Sequence, residues 1–193
     1  MKFRKKHNSS ASGVTPVIKS QAGDIVKIGT DAIVNAANSN LAAGGGVCGA
    51  IFSAAGHKQL QTACTKIGRC EVGSAVVTPA FGLESVGTRH ILHAVGPIWG
   101  KSSPEECDRL LVSAYRSSLM LAQSLGASSI AIPAISTGIY HFPAERAAEL
   151  VAKLLTTEVF ELDEIVLLTL EPEKAAIYAR ALQAAQKANK KIH

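Results

Sequence analysis

Short apolar runs of strand length alternate along this chain with longer stretches whose apolar residues recur at helical spacing. Strand-like TPVIKSQ (15–21) and DAIVNAA (31–37) frame AGDIVKIGT (22–30), and VCGAIFSAAG (47–56) follows with a helical pattern. Further on, GSAVVTPA (73–80) and RHILHAVGP (89–97) read as strands, PEECDRLLVSAYRSSLMLAQSLG (104–126) as a long amphipathic helix, and SSIAIPAIS (128–136) as a buried apolar strand. FPAERAAELVAKLLTT (142–157) reads as a helix with Pro143 in its first turn, EIVLLTL (164–170) as a strand, and a last helix starts near Pro172. This alternation predicts an α/β sandwich around a largely buried sheet.

The bulk numbers narrow the class. With 193 residues, 47% hydrophobic and 18% charged, the chain has the size and composition of one globular domain with a full core. No apolar stretch reaches membrane-span length and the N-terminus lacks the apolar core of a secretory signal, so a cytoplasmic protein without a membrane partner is expected. Four cysteines, Cys48, Cys64, Cys70 and Cys107, form no CxxC pair and read as reduced thiols. Cys64 and Cys70 with His57 match no usual zinc spacing, so no metal is expected.

The net charge of +5 raises the question of nucleic acid, which its distribution answers. Lys2, Arg4, Lys5 and Lys6 at one end and Lys187, Lys190 and Lys191 at the other carry seven of the 20 basic charges, leaving 13 against 15 acids in the body. The basicity belongs to solvated ends, a basic tail over 1–13 ahead of one domain over 14–193, and nucleic acid is not an expected partner.

Chemistry concentrates in NAANSNLAAGGGVCGAI (35–51). Gly44, Gly46 and Gly49 satisfy G-x-G-x-x-G, but NSNLAA separates them from the strand, and the acid about 20 residues on, Glu71, precedes a strand instead of closing one. A nicotinamide-dependent oxidoreductase therefore fits poorly. Bare backbone running into a helix start still suits an anion, which would meet unpaired amides and the positive end of the helix dipole. The plainer reading, a flexible loop, accounts for one glycine more easily than for three in a row. Asn35 and Asn38 add neutral amides that donate to and accept from a ribose hydroxyl without setting charge beside a diphosphate. The alternative, tying down turn backbone, suits Asn35 better than Asn38, which lies nearer the loop. A second loop, PAISTGIYHFP (133–143), follows an apolar strand and offers Ser136, Thr137 and Gly138 where α/β sheets bind ligands. Tyr140 there either packs on a sugar or roofs the loop.

Together GDIVKIGTDAIVNAANSNL, GGGVCGAIFSAAG, HAVGP and IPAISTGIYHFP resemble, in order, the motifs of the macrodomain family, over residues 20–185. The resemblance implies a three-layer α/β/α sandwich with a mixed six-stranded central sheet that binds ADP-ribose at the strand ends, without cofactor. By the same resemblance Asp24 accepts from the adenine amino group with the Ile25 amide beside it. Gly44, Gly45, Gly46 and Val47 form the first loop around diphosphate and distal ribose. Ser136, Thr137, Gly138, Ile139 and Tyr140 form the second. Asn38 is similar to the asparagine that holds the distal ribose, and Asn35 stands behind it.

The sequence most resembles the MacroD-type branch, whose members release ADP-ribose from acidic side chains of proteins and deacetylate O-acetyl-ADP-ribose. The implied partners are ADP-ribose and mono-ADP-ribosylated proteins, with a monomeric chain. Asn38 and Tyr140 are the implied catalytic positions, with Cys48 where that branch carries an aspartate near the distal ribose. A thiol is no carboxylate base, yet alphavirus macrodomains, which look similar with GVC, include active hydrolases. A non-catalytic ADP-ribose reader is the alternative. Cys48 is either a thiol activated at a helix N-terminus or a small apolar plug, the plug being preferred beside a diphosphate. Two further departures from the family are Ala43 for a fourth glycine and His141 for a glycine after the aromatic, read as a surface histidine.

Overall fold

The computed structural model describes residues 15–190, so the expected tail over 1–13 lies outside the described residues. Six strands, β1 (Val17–Ala22), β2 (Ala32–Ala36), β3 (Ala75–Pro79), β4 (His90–Ala94), β5 (Ser129–Ile132) and β6 (Glu164–Thr169), form one sheet in the order β1-β6-β5-β2-β4-β3. Five strands run parallel and β3 pairs antiparallel with β4 at the edge. This is the mixed six-stranded sheet expected from the motifs. Its order is not that of the dinucleotide-binding doubly wound sheet, so the glycine spacing is not that fingerprint.

Among the described residues five α-helices cover this sheet: α1 (Gly46–Ala55), α2 (His57–Ile67), α3 (Pro104–Ser124), α4 (Ala144–Thr157) and α5 (Pro172–Asn189). Strand side chains alternate between faces, and two cores result. Ala32, Val34, Ile130, Ile132, Ile165 and Leu167 pack with α3, α4 and α5. Ile33, Ile91, Ala131, Val166 and Leu168 pack with α1 and α2 on the other face. The architecture is therefore three-layered, α/β/α.

The sequence pattern missed α2, in which only Leu60 and Cys64 are buried, and a 3₁₀ turn over Phe81–Val86. Pro143 stands one place earlier than the pattern suggests, capping α4 instead of lying in its first turn.

Candidate functional site

The loop after β2 leads to α1 on one face of the sheet, while the loop after the neighbouring β5 leads to α4 on the other. Neighbouring strands whose connections part to opposite faces leave a crevice at their carboxyl ends. A cleft of about 410 Å³ lies there, within the usual range for a small-molecule site, about 300–1,000 Å³. Asp24 and Ile25 line it from beyond β1, Asn38 and Gly44–Cys48 from beyond β2, Ser136–Tyr140 from beyond β5, and Leu168–Glu171 from the end of β6. Asp24, Ile25, Asn38, Gly44–Cys48 and Ser136–Tyr140 are all brought to this one cleft, whereas Asn35 and His141 are not among its lining.

The first loop presents backbone. Helix α1 starts at Gly46, whose φ is 59°, with no side-chain cap and no acid in its first turn. Its leading amides therefore lack the partners that helix starts ordinarily receive from side chains. Gly49 keeps the loop close to the helix: a Cβ there would lie 2.7 Å from the Gly44 carbonyl oxygen. Gly49→Ala is thus expected to cost about 1–3 kcal/mol through overpacking. An unchanged denaturation midpoint would contradict this contact.

Side chains behind the loop fix its path. Asn38 Nδ2 donates to the Ala42 carbonyl at 2.8 Å, and Asn38 Oδ1 accepts from the Asn40 and Ala42 amides, each at 3.2 Å. The turn-tying role that the sequence favours for Asn35 thus falls to Asn38, which keeps one amide proton free of these bonds. Gln61, on the unforeseen α2, accepts from the Ala43 amide at 2.9 Å and donates to the Leu41 carbonyl at 3.4 Å. Ala43 packs its methyl on the core, so a fourth glycine is not required there.

The second loop is held from both sides. Thr137 Oγ1 donates to the Ala134 carbonyl at 2.9 Å, the Phe142 amide to the Ser136 carbonyl at 2.9 Å, and the Trp99 amide to the Tyr140 carbonyl at 2.9 Å. Trp99 packs edge-on to Phe142 with Arg146 over its indole. Ser136 has φ 65°, and its buried Oγ has no hydrogen-bond partner. His141 also sits in the left-handed region, at φ 55°. That conformation explains the family's glycine, and histidine tolerates it better than most residues. Its side chain is exposed and outside the cleft lining.

Charge is sparse. Among the described residues the cleft is lined by two acids, Asp24 and Glu171, and one cation, Lys174, whose Nζ lies 3.6 Å from Glu171. Asp24 accepts from the Val26 amide at 3.2 Å and pairs with Lys27 at 3.2 Å. Both acids stand with Leu168–Leu170 at one end, while the glycine-loop end is lined by neutral groups.

Beneath that neutral end lies a buried polar cluster. The Cys48 thiol, 6% exposed, packs under Gly44 and accepts from Asn35 Nδ2 at 3.7 Å. Asn35 Nδ2 also reaches His93 Nδ1 at 3.1 Å, and His93 Nε2 meets Thr78 Oγ1 at 2.9 Å. An amide donating to Nδ1 places the ring proton on Nε2, directed at Thr78. Burial depresses His93 to about 4, so the ring stays neutral. Burial pushes the Cys64 thiol, 3.8 Å from the same ring, up to about 11, with Cys48 adding to the effect. All four cysteines are free, and His57 packs on Phe52 instead of joining Cys64 and Cys70.

Comparison with known proteins agrees with this geometry. The pattern of the Macro domain family matches residues 34–151. The chain is 44% identical over 167 residues to the O-acetyl-ADP-ribose deacetylase of Escherichia fergusonii, covering 83% of this chain and 92% of that protein. Among solved structures, the Oceanobacillus iheyensis macrodomain with ADP superposes with a TM-score of 0.77 at 35% identity, covering 86% of this chain and 90% of that one. The Trypanosoma brucei macrodomain in complex with ADP-ribose gives a TM-score of 0.74 at 31% identity, covering 86% and 68% respectively.

Proposed function

Because this chain belongs to the macrodomain family, we propose that its cleft binds ADP-ribose and positions the distal ribose for ester hydrolysis. The observation that carries this reading is the uncapped α1 N-terminus facing the second loop across a cleft whose far end holds Asp24. Adenine sits at Asp24 and Ile25, and the diphosphate spans Gly44–Val47 and Ser136–Gly138. Helix dipole and backbone amides stabilise the anion in place of cationic side chains. The distal ribose then lies over Cys48, flanked by Tyr140, with the remaining amide proton of Asn38 directed at a hydroxyl.

As in the MacroD-type branch, the substrates proposed are O-acetyl-ADP-ribose and ADP-ribose esterified to acidic side chains. Water adds to the acyl carbon of the first, releasing acetate and ADP-ribose. In the second it adds at the anomeric carbon as the side-chain carboxylate leaves. With no carboxylate lining that end among the described residues, a ligand phosphate oxygen orients the water. Holding the partners in place supplies much of the acceleration, since well-oriented reactions gain on the order of 7–11 kcal/mol.

Chromatography of purified protein with O-acetyl-ADP-ribose, and separately with a glutamate-modified protein, tests this reading. Free ADP-ribose is expected from both. Binding without release would favour the reader instead, a reading supported by the thiol where the branch carries an acid.

Asp24→Ala should weaken ADP-ribose binding by about 1.5–3 kcal/mol, the worth of a hydrogen bond to a charged group. An unchanged dissociation constant would remove Asp24 from the adenine contact.

A further inference from the structure

The second loop turns sharply as it leaves β5, and a residue outside the cleft holds that turn. Tyr115, on α3, is fully buried in the core beneath it. Its hydroxyl donates to the Pro133 carbonyl at 3.0 Å and accepts from the Ile135 amide at 3.1 Å. A phenol offers both functions at one oxygen, so a single group bridges the backbone on either side of Ala134. The Ile135 amide also reaches the Pro133 carbonyl directly at 2.8 Å, closing the turn a second way. Burial raises the Tyr115 hydroxyl to about 12, so the donated proton is retained at any working pH.

The turn has little slack on its far side. Ile135 leads directly into Ser136, which holds its left-handed conformation against Gly96: a Cβ on Gly96 would overlap Ser136 Oγ and lie 2.6 Å from Ile135 Cγ2. The backbone is thus pinned between a glycine on one side and a phenol on the other. Loss of the hydroxyl would leave the Pro133 carbonyl without its side-chain donor and free the turn to relax.

We propose that Tyr115 is a positioning residue for the diphosphate clamp: its hydroxyl, bound to Pro133 and Ile135, sets the height at which Ser136–Gly138 meet the ligand. The inference rests on the ADP-ribose reading and extends it to a residue that does not itself line the cleft but holds two residues that do, Pro133 and Ile135. Tyr178, on α5, provides the control for the neighbouring hydroxyl. It belongs to the same core, and its buried hydroxyl faces that of Tyr115 but makes no hydrogen bond to the loop backbone.

The test compares wild type, Tyr115→Phe and Tyr178→Phe, titrated with ADP-ribose and with adenosine, which occupies only the Asp24 end. Tyr115→Phe should lose about tenfold in ADP-ribose affinity, the equivalent of one hydrogen bond, and keep its adenosine affinity. Tyr178→Phe should retain both. Unchanged ADP-ribose binding by Tyr115→Phe, an equal loss for adenosine, or an equal loss in Tyr178→Phe would overturn the proposal. If wild type itself fails to bind ADP-ribose, the functional reading fails instead. Amide exchange of the unliganded wild type tests the pinning without any variant. The Ile135 amide is expected to exchange as slowly as the amides of β5, and rapid exchange there would overturn the proposal.

Discussion

Cys48→Asp is expected to accelerate ester hydrolysis by about 10²–10⁴-fold, the usual contribution of a positioned general base. The third residue of α1 lines the cleft where the distal ribose is proposed to lie, and it already touches the Asn35 amide. A carboxylate of similar size would inherit that donor and the favourable end of the helix dipole. It would also stand near the diphosphate, so ADP-ribose affinity should fall while the chemical step quickens. Single-turnover release of ADP-ribose from a glutamate-modified protein separates the two effects. Cys48→Ala should turn over nearly as fast as wild type, because the thiol is placed as packing under Gly44. An alanine variant that binds ADP-ribose but releases none would make the thiol catalytic. An aspartate variant no faster than wild type would mean that water is oriented elsewhere.

The second large effect is on stability in acid. His93 is neutral in the fold, its protonation held down to about 4 by burial, whereas an unfolded chain protonates histidine near 6.5. Between these values the unfolded chain binds the proton and the native one does not. Stability is therefore complete above about pH 6.5 and falls as pH drops, by about 3 kcal/mol in total by pH 4. Glu158, held below the ordinary carboxylate range by its hydrogen bonds to Arg116, adds its own acid loss only at lower pH. Denaturation curves between pH 7 and 4.5 read the effect of His93, and stability flat across that window would contradict it. Nuclear magnetic resonance should likewise find the His93 ring untitrated above pH 5.

What the sequence conveyed well was whatever depends on local periodicity. Every helix except α2 shows apolar residues three to four apart because each buries one face, whereas β2, β5 and β6 are buried on both faces and stand out as short apolar runs. HKQLQTACTKI hid α2 because only Leu60 and Cys64 of its residues are buried, too few to stand out in a polar run. The two asparagines show a subtler limit. Asn35 shares the face of β2 that carries Ile33, as strand alternation requires, and so is driven into the core beside His93. Asn38 lies past the strand end, where its side chain closes on its own loop. Reading Asn35 as an inward strand position would have separated their roles. Gln61 and Tyr115 carried no local signal, since each acts on loop backbone 18 to 20 residues away in sequence. Contacts of that kind become visible only once the chain is folded.

Two loops and a helix start are proposed to clamp a diphosphate between the adenine end and a distal ribose. Titration calorimetry of the full chain with ADP-ribose and with AMP measures this directly. The clamp predicts ADP-ribose tighter on the order of a hundredfold, from several hydrogen bonds that AMP does not make. Equal affinities for ADP-ribose and AMP would contradict it, leaving an adenosine pocket with the glycine loop playing no part in binding.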